Sequence, residues 1–103
     1  MNLEDDMNTT IEYVRFETED PTALAAERDL MVNVLRARYG ADFIGAHLAQ
    51  FDDGSMMDCL VWATQEAAAR AGNEMPSDPE TQGFFSKIGR VHEMRHANVL
   101  HTA

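Results

Sequence analysis

The stretch between Asp20-Pro21 and Gly40 limits what this chain can fold into more than any other. Aspartate before proline is a helix start. The carboxylate accepts from a free N–H of the first turn, and proline at the first helical position has no N–H to leave unpaired. Leu24, Leu30, Met31, Val34 and Leu35 then fall at helical spacings and predict one apolar stripe on a helix reaching Tyr39. Gly40 stands where a residue of positive φ would end it.

Around this helix the chain reads as strands and turns. Residues 11–18 alternate β-branched, aromatic and charged side chains, which predicts a strand. Residues 43–51 predict a second strand and residues 56–63 a third. Asp52-Asp53-Gly54-Ser55 between them is hairpin-turn chemistry, which makes the two antiparallel neighbours. Thr64 caps a short alanine-rich helix over residues 65–71, stopped by Gly72. A polar loop over residues 73–77 leads to a further start, Asp78-Pro79, and a helix carrying Phe84, Phe85 and Ile88 toward Gly89. A fourth strand lies in the tail, residues 93–102, around Asn98-Val99-Leu100. The first nine residues, with Glu4, Asp5 and Asp6, read as a flexible acidic leader to a single domain over residues 10–103.

The order strand, helix, strand, strand, broken helix, strand, joined by right-handed crossovers, predicts an α+β fold. It is the ferredoxin-like split βαβ arrangement: a four-stranded antiparallel sheet with helices on one face.

Charge and composition exclude several partners. Lys and Arg total 8 against 18 Asp and Glu, a net charge of −10, so nucleic acid and anionic membrane surfaces repel this chain. The single cysteine, Cys59, allows no internal disulfide and no cysteine-based zinc site, and suits a reducing, cytoplasmic setting. No apolar run approaches the roughly 20 residues of a membrane span, and the start is acidic rather than signal-like.

Strand parity points to a site. One sheet face, with Val14, Phe16, Ile44, Ala46, Leu48, Cys59, Val61, Ala97 and Val99, is apolar enough to lie under helices. The other would carry Tyr13, Arg15, His47, Phe51, Asp58, Leu60, Trp62, His96 and Asn98. That mixture suits neither water nor a dry core. It predicts a homodimer in which two such faces meet and partly enclose a pocket. A single bulge would exchange these assignments within one strand.

Three segments resemble the antibiotic biosynthesis monooxygenase-like group of dimeric α+β barrels: residues 11–16, residues 53–62, and the Trp62-Ala63-Thr64-Gln65-Glu66-Ala67-Ala68 junction. The resemblance spans nearly all of the chain after the leader. It implies that fold, a homodimer, and one of several activities. The haem-degrading branch uses an asparagine on the first strand, this tryptophan and a histidine on the second helix. Only Trp62 matches: Arg15 stands on the first strand, and residues 78–89 contain no histidine. The cofactor-independent oxygenases of aromatic polyketide intermediates ask for less and imply no cofactor. In that reading Arg15 stabilises an enolate, His47 or His96 takes the proton, Tyr13 donates a hydrogen bond and Trp62 stacks on a planar ring. Phe51, Asp58 and Asn98 complete a pocket for a small aromatic or apolar ligand. The same fold also suits a non-catalytic ligand-binding module.

Plainer roles exist for the same residues. Trp62 at a sheet–helix junction packs, Arg15 pairs with Asp58 across strands, His47 is a hydrogen-bonded core residue, and Cys59 is a small hydrophobe. His92-Glu93-Met94-Arg95-His96 also matches the H-E-x-x-H zinc-peptidase motif, which requires a helix. In the longer form of that motif Val99 takes the glycine position and Thr102 the final histidine position, and no glutamate follows His96. The motif falls where the fold wants a strand, so no metal site is expected.

Overall fold

A computed structural model describes residues 9–103, and the leader lies outside these residues apart from Thr9, whose carbonyl accepts from the Val99 N–H. The elements are β1 (Thr10–Phe16), α1 (Pro21–Tyr39), β2 (Phe43–Gln50), β3 (Met56–Trp62), α2 (Gln65–Glu74), α3 (Gln82–Phe85) and β4 (Val91–Asn98). The sheet has the order β2-β3-β1-β4 and every pairing is antiparallel. Each helical connection therefore passes over one strand of the other pair, which is the split βαβ arrangement. The helices pack on one face, and the fourth strand begins at Val91 rather than at residue 93.

Local chemistry sets the helix ends. Asp20 Oδ1 accepts from the Ala23 N–H at 3.0 Å, and Gly40 ends α1 with φ at +55°. Its buried stripe is Leu24, Arg28, Met31, Leu35 and Tyr39, while Leu30 points to solvent. Thus the sequence-based stripe is shifted by part of a turn, and an arginine occupies one of its core positions. Helix α2 runs through Gly72 to Glu74, because Ala67, Ala68, Ala71 and Met75 continue the buried face beyond the glycine. Burial of that face outweighs the roughly 1 kcal/mol helix penalty of glycine. The expected helix over residues 78–89 is a 3₁₀ turn, Pro79–Thr81, followed by the single turn of α3. Buried Thr81 donates its hydroxyl to the Met75 and Asp78 carbonyls and ties the break together.

Sheet parity differs from the sequence-based assignment in two strands. Opposed residues of an antiparallel pair share a face, and Val14 opposes Asp58, Glu12 opposes Leu60 and Thr10 opposes Trp62. Met56, Asp58, Leu60 and Trp62 are all buried under the helices, so Cys59 and Val61 face the other way. On β4, His96 and Asn98 oppose Glu12 and Thr10 and belong to the helix side. Ala97 therefore faces the helix-free side. In β2 the register shifts between Phe43 and Gly45. Ile44 is the extra residue and is exposed, whereas Ala46 and Leu48 pack on the core.

Candidate functional site

A cavity of about 280 Å³ lies between the sheet and the helices, close to the lower end of ligand-pocket sizes. Its floor is Glu12 and Val14 of β1 with Asp58, Leu60 and Trp62 of β3; Met31, Met75 and Phe84 are among the side chains that cover it. Val91 and Met94 of β4 line it while remaining half exposed, so the cavity opens toward that edge. Asp58, Leu60 and Trp62, expected to line a pocket on the helix-free face, thus line a cavity on the opposite side of the sheet. The physical reason is the parity of β3.

The apolar walls enclose a charged group of residues. Arg28 descends from α1 and its Nη2 donates to Asp58 Oδ1 at 2.5 Å, both side chains being more than nine-tenths buried. The guanidinium lies over the Phe84 ring, 5.8 Å from its centroid. Its Nε and Nη1 have no hydrogen-bond partner among the described residues. Burial pushes the Asp58 carboxyl up to about 6, against the pull of Arg28 and with a further push from Glu12. The buried Glu12 carboxyl is also raised, chiefly by desolvation, opposed by His96 and Arg28. Burial lowers Arg28, opposed mainly by Asp58. Two carboxyls near one guanidinium in an apolar cavity leave at least one of them inclined to hold a proton.

Trp62 is fully buried and belongs to both core and cavity. Its indole meets Tyr39 edge-on at 5.3 Å and 84°, and Phe43 at 5.3 Å and 60°. The Nε1–H has no hydrogen-bond partner among the described residues, although a buried indole N–H ordinarily has one. Tyr39 is held by donating its hydroxyl to Glu74 Oε1 at 2.6 Å, and burial followed by that carboxylate raises it to about 12.

The residues proposed from sequence do not converge. Asp58 and Trp62 line the cavity. His96 stands at its margin, Nε2 lying 3.6 Å from Glu12 Oε1. Asn98 is nearby on the helix side, where its Oδ1 accepts from Gln65 at 2.6 Å. Tyr13, Arg15 and His47 are on the helix-free face: Tyr13 and His47 both oppose Cys59, and Arg15 opposes Met57. Arg15 pairs with Asp53 at 3.1 Å, not with Asp58, and lies over the Phe51 ring at the hairpin. His92 and His96 are on strand β4, with His92 paired to Glu17 at 2.9 Å, so the zinc-peptidase helix does not form.

Glu12 and Arg28 were missed as site residues. Arg28 had a signal: it falls four after Leu24 and three before Met31, on the apolar stripe itself. Glu12 had a weaker one, being two residues from Val14 and four from Phe16 on a single strand face.

No family model and no curated protein matches the chain. Solved structures do. A dimeric ferredoxin-like protein from an uncultured marine organism is similar with a TM-score of 0.64 and 10% identity, over 99% of this chain and 97% of that one. A protein assigned as an antibiotic biosynthesis monooxygenase, from Chloroflexus aurantiacus, gives 0.60 and 15%, over 92% and 96%. SnoaB, a cofactor-independent oxygenase from Streptomyces nogalater, gives 0.58 and 17%, over 93% and 95%. With the sheet order and helix placement above, these likenesses give the chain the α+β fold shared by antibiotic biosynthesis monooxygenase-like and dimeric ferredoxin-like proteins.

Proposed function

We propose that the chain is a homodimeric oxygenase that oxidises a small, neutral aromatic hydroxyl compound without a cofactor, in the cavity between sheet and helices. The observation that carries this reading is the composition of that cavity. Apolar walls surround two buried carboxyls and an indole N–H that lacks an acceptor among the described residues. A neutral ligand with a hydroxyl and a carbonyl meets both needs: the hydroxyl donates to a carboxylate, and the carbonyl accepts from Trp62 Nε1. A carboxylate ligand would meet repulsion from Asp58 and Glu12 instead.

Chemistry follows from the same groups. A carboxylate raised toward neutral pH takes a proton from an acidic O–H or C–H of the ligand. The resulting enolate is electron-rich, and Trp62 Nε1–H and the Arg28 charge stabilise it. It passes an electron to dioxygen, and the radical pair combines. For an anthrone methylene, one oxygen atom becomes the new carbonyl and the other leaves as water with the two hydrogens. Dioxygen is the oxidant throughout.

The helix-free face fits a second role. Ile11, Tyr13, Met57, Cys59 and Val61 are half-buried there without helices above them, and we assign this face to contact with a second copy. Arg15 and His47 then belong to the interface. The dimeric state of the marine ferredoxin-like neighbour supports this assignment.

The test is oxygen uptake by metal-free protein with a panel of anthrones and hydroquinones. Turnover that falls strongly in Asp58→Asn and Trp62→Phe supports the proposal. Saturable binding without oxygen consumption would replace it with a non-catalytic ligand-binding module.

A further inference from the structure

The two cavity carboxyls differ in what holds them. Asp58 is fixed by Arg28, a cation that keeps its protons. Glu12 is paired instead with His96, whose imidazole carries two ring nitrogens, one toward Glu12 and one free to meet solvent. Glu12 is 7% exposed and lines the cavity, whereas the His96 side chain is 44% exposed on the edge strand. The pair thus links the largely apolar cavity to solvent at the β4 edge. Three groups around Glu12 are charged or titratable: His96 from β4, Arg28 from α1 and Asp58 from β3. Helix α2 presents Gly72 there, where an added Cβ would lie 3.9 Å from Glu12 Oε1.

We propose that Glu12 and His96 form the proton exit of the cavity, with Asp58 and Arg28 serving to orient the ligand. Glu12 takes the ligand's proton and returns to its anionic state by transferring it to His96 Nε2, and His96 releases a proton from Nδ1 to water. The 3.6 Å gap is longer than a transferring hydrogen bond, so the step requires the exposed ring to move toward Glu12. His96 touches no ligand and acts only through Glu12.

This inference rests on the proposed binding of a hydroxyl compound in the cavity, and its test separates the two. The probe is para-nitrophenol, whose ionisation is visible, bound to the intact protein and followed after a rapid pH jump. In wild type the bound probe ionises in a fast phase. His96→Ala is expected to slow that phase by about tenfold or more without weakening binding of the neutral probe. Added imidazole is expected to restore the rate in proportion to its concentration. Glu12→Gln is expected to abolish both the fast phase and the rescue. A wild-type rate in His96→Ala, or a slowed rate that imidazole leaves unchanged, overturns the proton exit while leaving the cavity reading standing. If wild type does not bind the probe, the cavity reading fails and the exit fails with it. Should His96→Ala not fold, His96→Gln keeps polar reach without a titrating ring and serves the same test.

Discussion

The two faces of the sheet are built from the same strands and do opposite work with charge. On the helix side, Arg28, Asp58 and Glu12 are nearly inaccessible and sit among Trp62, Leu60 and Phe84. On the helix-free side the charged groups, Arg15, Glu93 and Arg95, are exposed or half exposed, and the aliphatic ones are only half-buried. Burying charge in a small core costs stability unless each group is satisfied, and here several donors are not. Stability alone would be served better by aliphatic residues at these positions. In the proposed function, chemistry belongs to the covered face and association to the open one.

The largest expected effect comes from breaking the covered face. Arg28→Ala strands the Asp58 carboxylate in the core and should cost about 3–5 kcal/mol, read by urea unfolding at neutral pH. Replacing both members, Arg28→Met with Asp58→Leu, should recover most of that loss or exceed wild type. A single variant as stable as wild type would mean that the pair is solvated.

Titration sharpens the same contrast. The folded Asp58 carboxyl is raised to about 6 from an ordinary 3.8, so the folded state binds this proton more tightly than the unfolded chain. Its ionisation therefore destabilises the fold as pH rises from about 4 through 6. The stability of wild type relative to Asp58→Asn should fall over that window, by up to about 3 kcal/mol. Glu12, also raised, acts in the same direction. A difference that is flat between pH 4 and 7 would show that Asp58 ionises there as it does in water.

The smallest effect on the fold itself is expected on the open face. Val61→Lys should change the unfolding free energy of the chain by only about 1 kcal/mol. Yet it should shift sedimentation from a dimer to a single 11.5 kDa species. Equal sedimentation of variant and wild type as dimers would move the interface elsewhere.

Element order, and those ends marked by a capping or turn residue, were legible because each rests on local chemistry. Asp20, Thr64 and Gly54 act within a few residues of themselves, and the hairpin turn closes as expected, with Gly54 at φ +90°. The facing of β3 was not legible. Met56, Asp58, Leu60 and Trp62 are no more apolar than Met57, Cys59 and Val61 flanked by Trp62, so alternation does not choose between the two faces. What chooses is tertiary: Trp62 fits between Tyr39 and Phe43, and Arg28 waits opposite Asp58. The extra residue in β2, Ile44, is apolar like Phe43 before it, and the only local mark of the bulge is Gly45 after it. The site was accordingly half readable. Trp62, Asp58 and His96 were named from sequence, but the partners that give them meaning, Arg28 and Glu12, belong to long-range pairings.

The central claim is that a ligand occupies the space beside the indole N–H. Trp62 is the only tryptophan, so its side-chain N–H gives a single, unmistakable resonance in a ¹⁵N-labelled sample. Titration with anthrone should move that resonance downfield and saturate, while the backbone signals of the helix-free strand positions Tyr13 and Cys59 stay in place. An indole signal that does not move while anthrone binds, or one outpaced by shifts at Tyr13 and Cys59, would contradict the account.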